Sequence, residues 1–178
     1  MTDPVVTRDP TADPRTRRAF DQLNDLLETL PFVLTTSTTQ TGNTAATETT
    51  LFSYTLLGNE LGLDDSFTFE VCGTFAATAS TNKRIKVKFG ATTFYDSGNL
   101  NITAATNWTL RGSVTRSTAT VQKCEVTFSS SSSTLRADVG YATASETLSA
   151  AVAFVVTGNG TNASDVVGER FKVLKVPD

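Results

Sequence analysis

Chemistry in a protein chain needs groups of suitable pKa within reach of one another, and here such groups are few. The 178 residues contain no His, which removes Ser-His and Cys-His nucleophile systems together with the commonest transition-metal ligand. Cys72 and Cys124 have no second Cys at metal-binding spacing. Asp64 with Asp65, Asp96, Asp138 and Glu146 remain as acid–base candidates. They sit in turn-like sequence, where Asp usually caps its own backbone. Asp64-Asp65 lacks the Asp-x-Asp-x-Asp pattern of a Ca²⁺ loop, and Gly158-Asn159-Gly160 lacks the Lys-Ser/Thr of a phosphate loop. The expectation is no enzyme, no metal and no cofactor.

A basic run offers a different chemistry. Lys83, Arg84, Lys86 and Lys88 are candidate surface contacts for an anionic glycan or a partner's acidic patch. The competing reading is that these bases keep an exposed strand from pairing with strangers. The formal net charge of -3 gives nothing to draw the whole chain to nucleic acid. Four glycosylation-type triplets begin at Asn101, Asn107, Asn159 and Asn162. They are chance matches in a chain where about one residue in five is Thr.

The elements that carry these residues change near residue 31. Pro4, Pro10 and Pro14 lie among Thr, Asp and Arg over residues 1–15, which predicts an extended arm. Asp13 then reads as an N-cap with Pro14 at the first helical position. The helix (residues 16–30 as a segment) stops at Pro31. Phe20, Leu23, Leu27 and Leu30 fall at spacings of three, four and three, the seam of a short coiled coil. Two heptads are too short to be stable alone. Either three copies associate, or the helix packs on its own β-domain; self-association is the preferred reading.

Residues 31–46 are Thr-rich with little to bury, and read as a linker or an edge strand. From residue 47 to 178 the period is two: Phe67-Thr68-Phe69-Glu70-Val71 and Arg84-Ile85-Lys86-Val87-Lys88-Phe89 each show one wet and one dry face. Eight or nine short strands with no helix between them predict a mainly β antiparallel sandwich, with a jelly roll as first choice. Cys72 lies off the apolar face of its strand and Cys124 on it, so the two are expected to be lone thiols. The start of the chain shows no secretory signal, and the apolar run at 150–156 is too short to cross a bilayer. Synthesis in a cytosol without membrane insertion is expected.

The order Thr47–Leu56, Phe69–Ala76, Asn82–Gly90, Phe94–Gly98 and Trp108–Val114 resembles small β-heads in tailed-bacteriophage virion proteins, over roughly residues 47–116. The resemblance implies a jelly-roll head that packs as a homotrimer on a tail fibre, a head fibre or a capsid decoration. Asp13–Arg18 looks like the virion-attachment arms of such proteins. On this reading residues 1–30 mate with other virion proteins, the head meets a host-surface glycan or envelope component, and the protein resides in the virion. Phe52, Tyr54, Phe94 and Tyr95 are expected as spare apolar residues for a trimer axis. The loops at 64–66, 99–107, 129–133 and 158–164 are candidates for a contact surface. A capsid decoration or cement role is the alternative function.

Overall fold

The computed structural model describes residues 13–78, 80–131 and 137–178, so residues 1–12 of the expected arm lie outside the described residues. Helix α1 spans Pro14–Thr29, with Pro14 at its first position as the Asp-Pro pair predicts. The Asp13 carboxylate accepts the backbone N–H groups of Arg15 at 2.8 Å and Thr16 at 3.2 Å, and the Thr16 hydroxyl at 2.7 Å. These bonds occupy donors that a helix start otherwise leaves free. Pro31 follows the last turn and bars continuation.

Among the described residues twelve strands follow: β1 (Phe32–Ser37), β2 (Thr41–Gly42), β3 (Thr49–Leu56), β4 (Ser66–Phe75), β5 (Ser80–Phe89), β6 (Thr92–Asp96), β7 (Leu100–Ile102), β8 (Thr106–Arg116), β9 (Gln122–Ser130), β10 (Asp138–Ala144), β11 (Val152–Asn159) and β12 (Val166–Val176). The larger sheet runs β1-β12-β4-β8-β9-β10, with β2 also on β12; the second runs β3-β11-β5-β6, with β7 on β5. The fold is a mainly β, antiparallel sandwich, as the alternating pattern predicts. Its antiparallel pairs are nested: β5 with β6, then β4 with β8, β3 with β11, and β1 with β12. Each wider pair lies in the opposite sheet from the one inside it. The β9–β10 hairpin is inserted between β8 and β11 and widens the larger sheet.

The strict alternation of burial along β4 and β9 puts one side chain in two between the sheets. Phe154 is the hub: its ring centroid lies 4.7 Å from that of Phe69, 5.3 Å from Phe67 and 6.0 Å from Phe171. Phe52, Phe94 and Tyr95 are core residues, not spare ones. Phe52 stacks on Phe171 at 5.3 Å and Tyr95 on Phe128 at 5.8 Å, while the half-buried Tyr54 gives its hydroxyl to Glu60 at 2.7 Å. Adjacent Phe94 and Tyr95 are both buried because β10 leans over β6, with Gly140 so close that a Cβ would lie 2.4 Å from the Phe94 carbonyl oxygen.

The Thr-rich segment is not a free linker. Phe32–Ser37 pairs with β12 along its length and Thr41–Gly42 pairs further along the same strand, so the head begins at residue 32, not 47. Thr is β-branched and satisfied at a half-wet edge, which is why a segment with little to bury still joins the sheet. Both thiols are free, with Cys124 buried and Cys72 half-buried, in agreement with their opposite strand parity.

The strand directions give the head two unlike ends. The helix enters at Phe32, opposite Lys175; the connections 57–65, 90–91, 117–121 and 145–151 lie at this end. The connections 43–48, 76–78, 103–105 and 160–165 gather at the other, distal end, where Phe75 pairs with both Val166 and Thr106.

Candidate functional site

At the distal end a buried lysine ties the loops together. Lys83 is fully buried, and its Nζ donates to the carbonyl oxygens of Ala76 at 2.6 Å, Thr78 at 2.8 Å and Ile102 at 2.6 Å. All three donors of an ammonium are thereby used. Asp165, also fully buried, accepts the Thr78 hydroxyl and the backbone N–H of Asn162, the latter at 2.8 Å. Burial works to raise the Asp165 carboxyl, but these hydrogen bonds and the charge of Lys83 hold it below its ordinary value. Desolvation lowers the Lys83 ammonium against the opposing pull of Asp165. Asn43 completes the network. Its Nδ2 donates to the carbonyl oxygens of Ala45 and Asn162, and its Oδ1 accepts the backbone N–H of Val166 at 2.8 Å. Four separate connections are thus held by internal polar bonds, so the loops form a fixed platform.

Lys83 is therefore not a surface contact, and this corrects its place in the basic run. The alternation of β5 itself carried the signal: Lys83 shares parity with Ile85, Val87 and Phe89, the dry face, whereas Arg84, Lys86 and Lys88 take the wet one. Those three do project outward, but they are matched. Arg84 pairs with Asp96, Lys86 with Glu48 at 2.6 Å, and Lys88 with the other oxygen of Glu48. Burial opposes ionisation of Glu48, yet its bonds to Lys86, Lys88 and Thr157 bring its pKa down to about 2.

The acid–base candidates are engaged in turns. Asp65 accepts the backbone N–H of Gly62 at 2.7 Å and pairs with Lys175 at 3.3 Å. Asp96 accepts the N–H of Gly98 at 2.9 Å, Asp138 that of Val139 at 2.9 Å, and Glu146 that of Ala91 at 2.7 Å. Asp64 stands at φ 65°, its N–H on the Arg116 carbonyl. Among the described residues, no three His, Cys, Asp or Glu side chains are grouped to hold a metal, and no helix is long and apolar enough to cross a membrane.

Of the predicted seam, Leu23 and Leu30 are 44% and 46% exposed, and neighbouring Leu26 is 55% exposed. Phe20 is half-buried, and the side chain of Leu27 lies outside the described residues. Phe32 and Val33 carry the exposed apolar surface onto the head, where Leu57 and Leu63 are also exposed. Of the four predicted contact loops, those at 99–107 and 158–164 lie at the distal end together with residues 129–131; residues 132–133 lie outside the described residues. The loop at 64–66 lies at the helix end instead.

No protein-family model matches this chain, and the curated proteins and solved structures contain no significant match to it.

Proposed function

We propose that the protein is a bacteriophage virion structural protein, a homotrimeric tail fibre or receptor-binding protein attached through residues 1–30. Its jelly-roll head serves host adsorption. The nesting of β5:β6 inside β4:β8, β3:β11 and β1:β12, in alternating sheets, supports the jelly-roll reading, which is two Greek keys wound together. The observation that carries the function is the separation of two unlike ends. At one, Leu23, Leu26 and Leu30 of α1 are left in water. At the other, Lys83, Asp165 and Asn43 hold the loops rigid. Exposed leucines at heptad spacing gain from burial against copies of themselves, and closed threefold symmetry brings three distal platforms to face the same way. A stem that associates and a rigid tip that presents loops are the two parts that an adsorption device needs.

Sedimentation equilibrium of the full chain, with Leu23→Asp and Leu30→Asp variants, tests the assembly. The parent sediments as a trimer at micromolar concentration and the double variant as a folded monomer; a monomeric parent overturns the reading. Immunogold labelling of intact particles tests the location. Label on tails supports the fibre, whereas label spread over the shell in many copies replaces it with the capsid decoration role.

A further inference from the structure

We infer that the outer face of the larger sheet binds an acidic saccharide, with Arg111 at the centre of the site. The inference rests on the receptor-binding reading and adds a sheet face to the distal loops as a ligand-contacting surface. Two shallow troughs lie side by side there. One, of about 400 Å³, is lined by Thr36, Thr68, Glu70, Arg111, Arg170 and Lys172. The other, of about 270 Å³, is lined by Arg111, Glu125, Thr127, Val139 and Tyr141. Arg111 and the backbone of Gly112 belong to both, so one guanidinium divides a single continuous surface.

Register explains the relief. One row across the strands reads Lys172, Glu70, Arg111, Thr127, Val139, and the next reads Thr68, Ser113, Glu125, Tyr141. Along β4 and β8, short hydroxyl side chains alternate with long charged ones (Thr68 with Glu70, and Thr109 and Ser113 around Arg111), which leaves hollows whose floor is part hydroxyl and, at Leu174, part apolar. Such a floor offers donors and acceptors at the spacing of cross-strand neighbours.

The charge is unbalanced in the direction an acid requires. Arg111 Nε donates to Glu70 at 2.9 Å, and Arg170 pairs with the other oxygen of the same carboxylate. The Arg111 hydrogen bond is the chief reason the Glu70 carboxyl lies below its ordinary value. Glu70 thus holds two guanidiniums in place, yet each keeps further N–H donors for a planar carboxylate. Three cations line this trough against one carboxylate, on a protein whose net charge is -3. The contrast with the outer face of β5 is direct: there Arg84, Lys86 and Lys88 are matched by Asp96 and Glu48.

The second trough adds what a simple anion would not need. Tyr141 is 67% and Val139 74% exposed, an apolar ledge on the β10 edge of the sheet. An aromatic ring with a free face receives the C–H side of a pyranose, while its hydroxyl remains in water. A sugar ring on Tyr141, its hydroxyls on Thr127 and Glu125 and a ring carboxylate at Arg111 uses the second trough and the guanidinium it shares with the first.

The test measures binding of the full chain to immobilised oligouronate, oligosialate and neutral maltohexaose by biolayer interferometry, at low and high salt. The acidic oligosaccharides bind at least about tenfold more tightly than the neutral one, more weakly at high salt. Arg111→Ala and Tyr141→Ala each weaken binding about tenfold, while Lys86→Ala on the other face leaves it unchanged. Equal binding of neutral and acidic sugars, or an unaffected Arg111→Ala, overturns the inference. So does a change of sedimentation coefficient in either variant, which identifies the face as a contact between copies. Adsorption assays separate the two layers: if the parent and Arg111→Ala block host adsorption equally, the sheet-face site fails and the receptor-binding reading stands. If particles carry no label yet the acidic sugars bind through Arg111, the outcome is reversed.

Discussion

Replacing Lys83 by Met removes the ammonium and keeps most of the aliphatic stem. The carbonyl oxygens of Ala76, Thr78 and Ile102, now 2.6–2.8 Å from Nζ, lose their donor, and buried Asp165 loses its neighbouring positive charge. Hydrogen bonds to a charged group are worth about 1.5–3 kcal/mol each, but the lysine no longer has to be desolvated, so the three do not simply add. Breaking one partner out of a buried ionic network costs about 3–5 kcal/mol. For a chain of this size that lowers the Tm by about 6–20 °C. Fluorescence of Trp108, the sole tryptophan and buried, reports the transition in urea and on heating. Hydrogen exchange localises the loss: in Lys83→Met the amides of 43–45, 76–78 and 162–165 exchange faster, while those at the helix end do not. Combining it with Asp165→Asn gives a double variant less destabilised than the sum of the two singles, by about 1 kcal/mol or more. A Lys83→Met protein within about 1 kcal/mol of the parent, or one loosened evenly throughout, refutes the argument that this lysine holds the distal platform.

The Glu48 triad predicts acid sensitivity. Its folded pKa of about 2 lies below the ordinary 4.5, so its stabilisation is fully present above about pH 4.5 and is lost as pH falls toward 2. Solvent screening at this partly exposed site leaves about 1–2 kcal/mol, and Glu48→Gln flattens that part of the stability–pH curve in urea titrations; an unchanged slope denies the triad a role. Gly73→Ala is expected to destabilise by about 1–3 kcal/mol, because a Cβ there would lie 2.0 Å from the Val167 carbonyl oxygen and 2.4 Å from the Trp108 ring. A urea midpoint equal to the parent's would show that the backbone gives way more easily than the packing implies.

The sandwich was legible because period-two alternation is a direct consequence of strand geometry, and β4 obeys it at every position and β9 at all but its last. The helix start was legible for a similar reason: Asp-Pro names a cap and a first turn, and the Asp13 bonds follow. The errors arose where a local pattern competes with a distant partner. Residues 31–46 read by composition as either a tether or a sheet edge, and only β12, well over a hundred residues later, decides for the edge. Phe52, Phe94 and Tyr95 look surplus until Phe171, β10 and Phe128 close over them. Lys83 is the instructive case, since composition assigned it to the basic run while parity assigned it to the core. The deciding contacts, with Ala76, Thr78 and Ile102, come from loops whose approach no local rule encodes.

The acidic-sugar surface was the least legible part, because its members come from β1, β4, β8, β9, β10 and β12, and the central Arg111 is far in sequence from the other two cations, Arg170 and Lys172. Arg111 and Arg170 meet only because β12 and β8 flank β4, which puts both on the two oxygens of Glu70. The run at 83–88 shows the opposite relation: four bases close in sequence, of which one is buried and three are matched by carboxylates. Charge density along a strand says where cations are. Whether they remain available to a ligand depends on the neighbouring strands, and register across the sheet sets that. In an antiparallel sandwich whose partners are far apart in sequence, a binding face is therefore read from cross-strand rows, and a conspicuous basic run is the first place where compensation is to be expected.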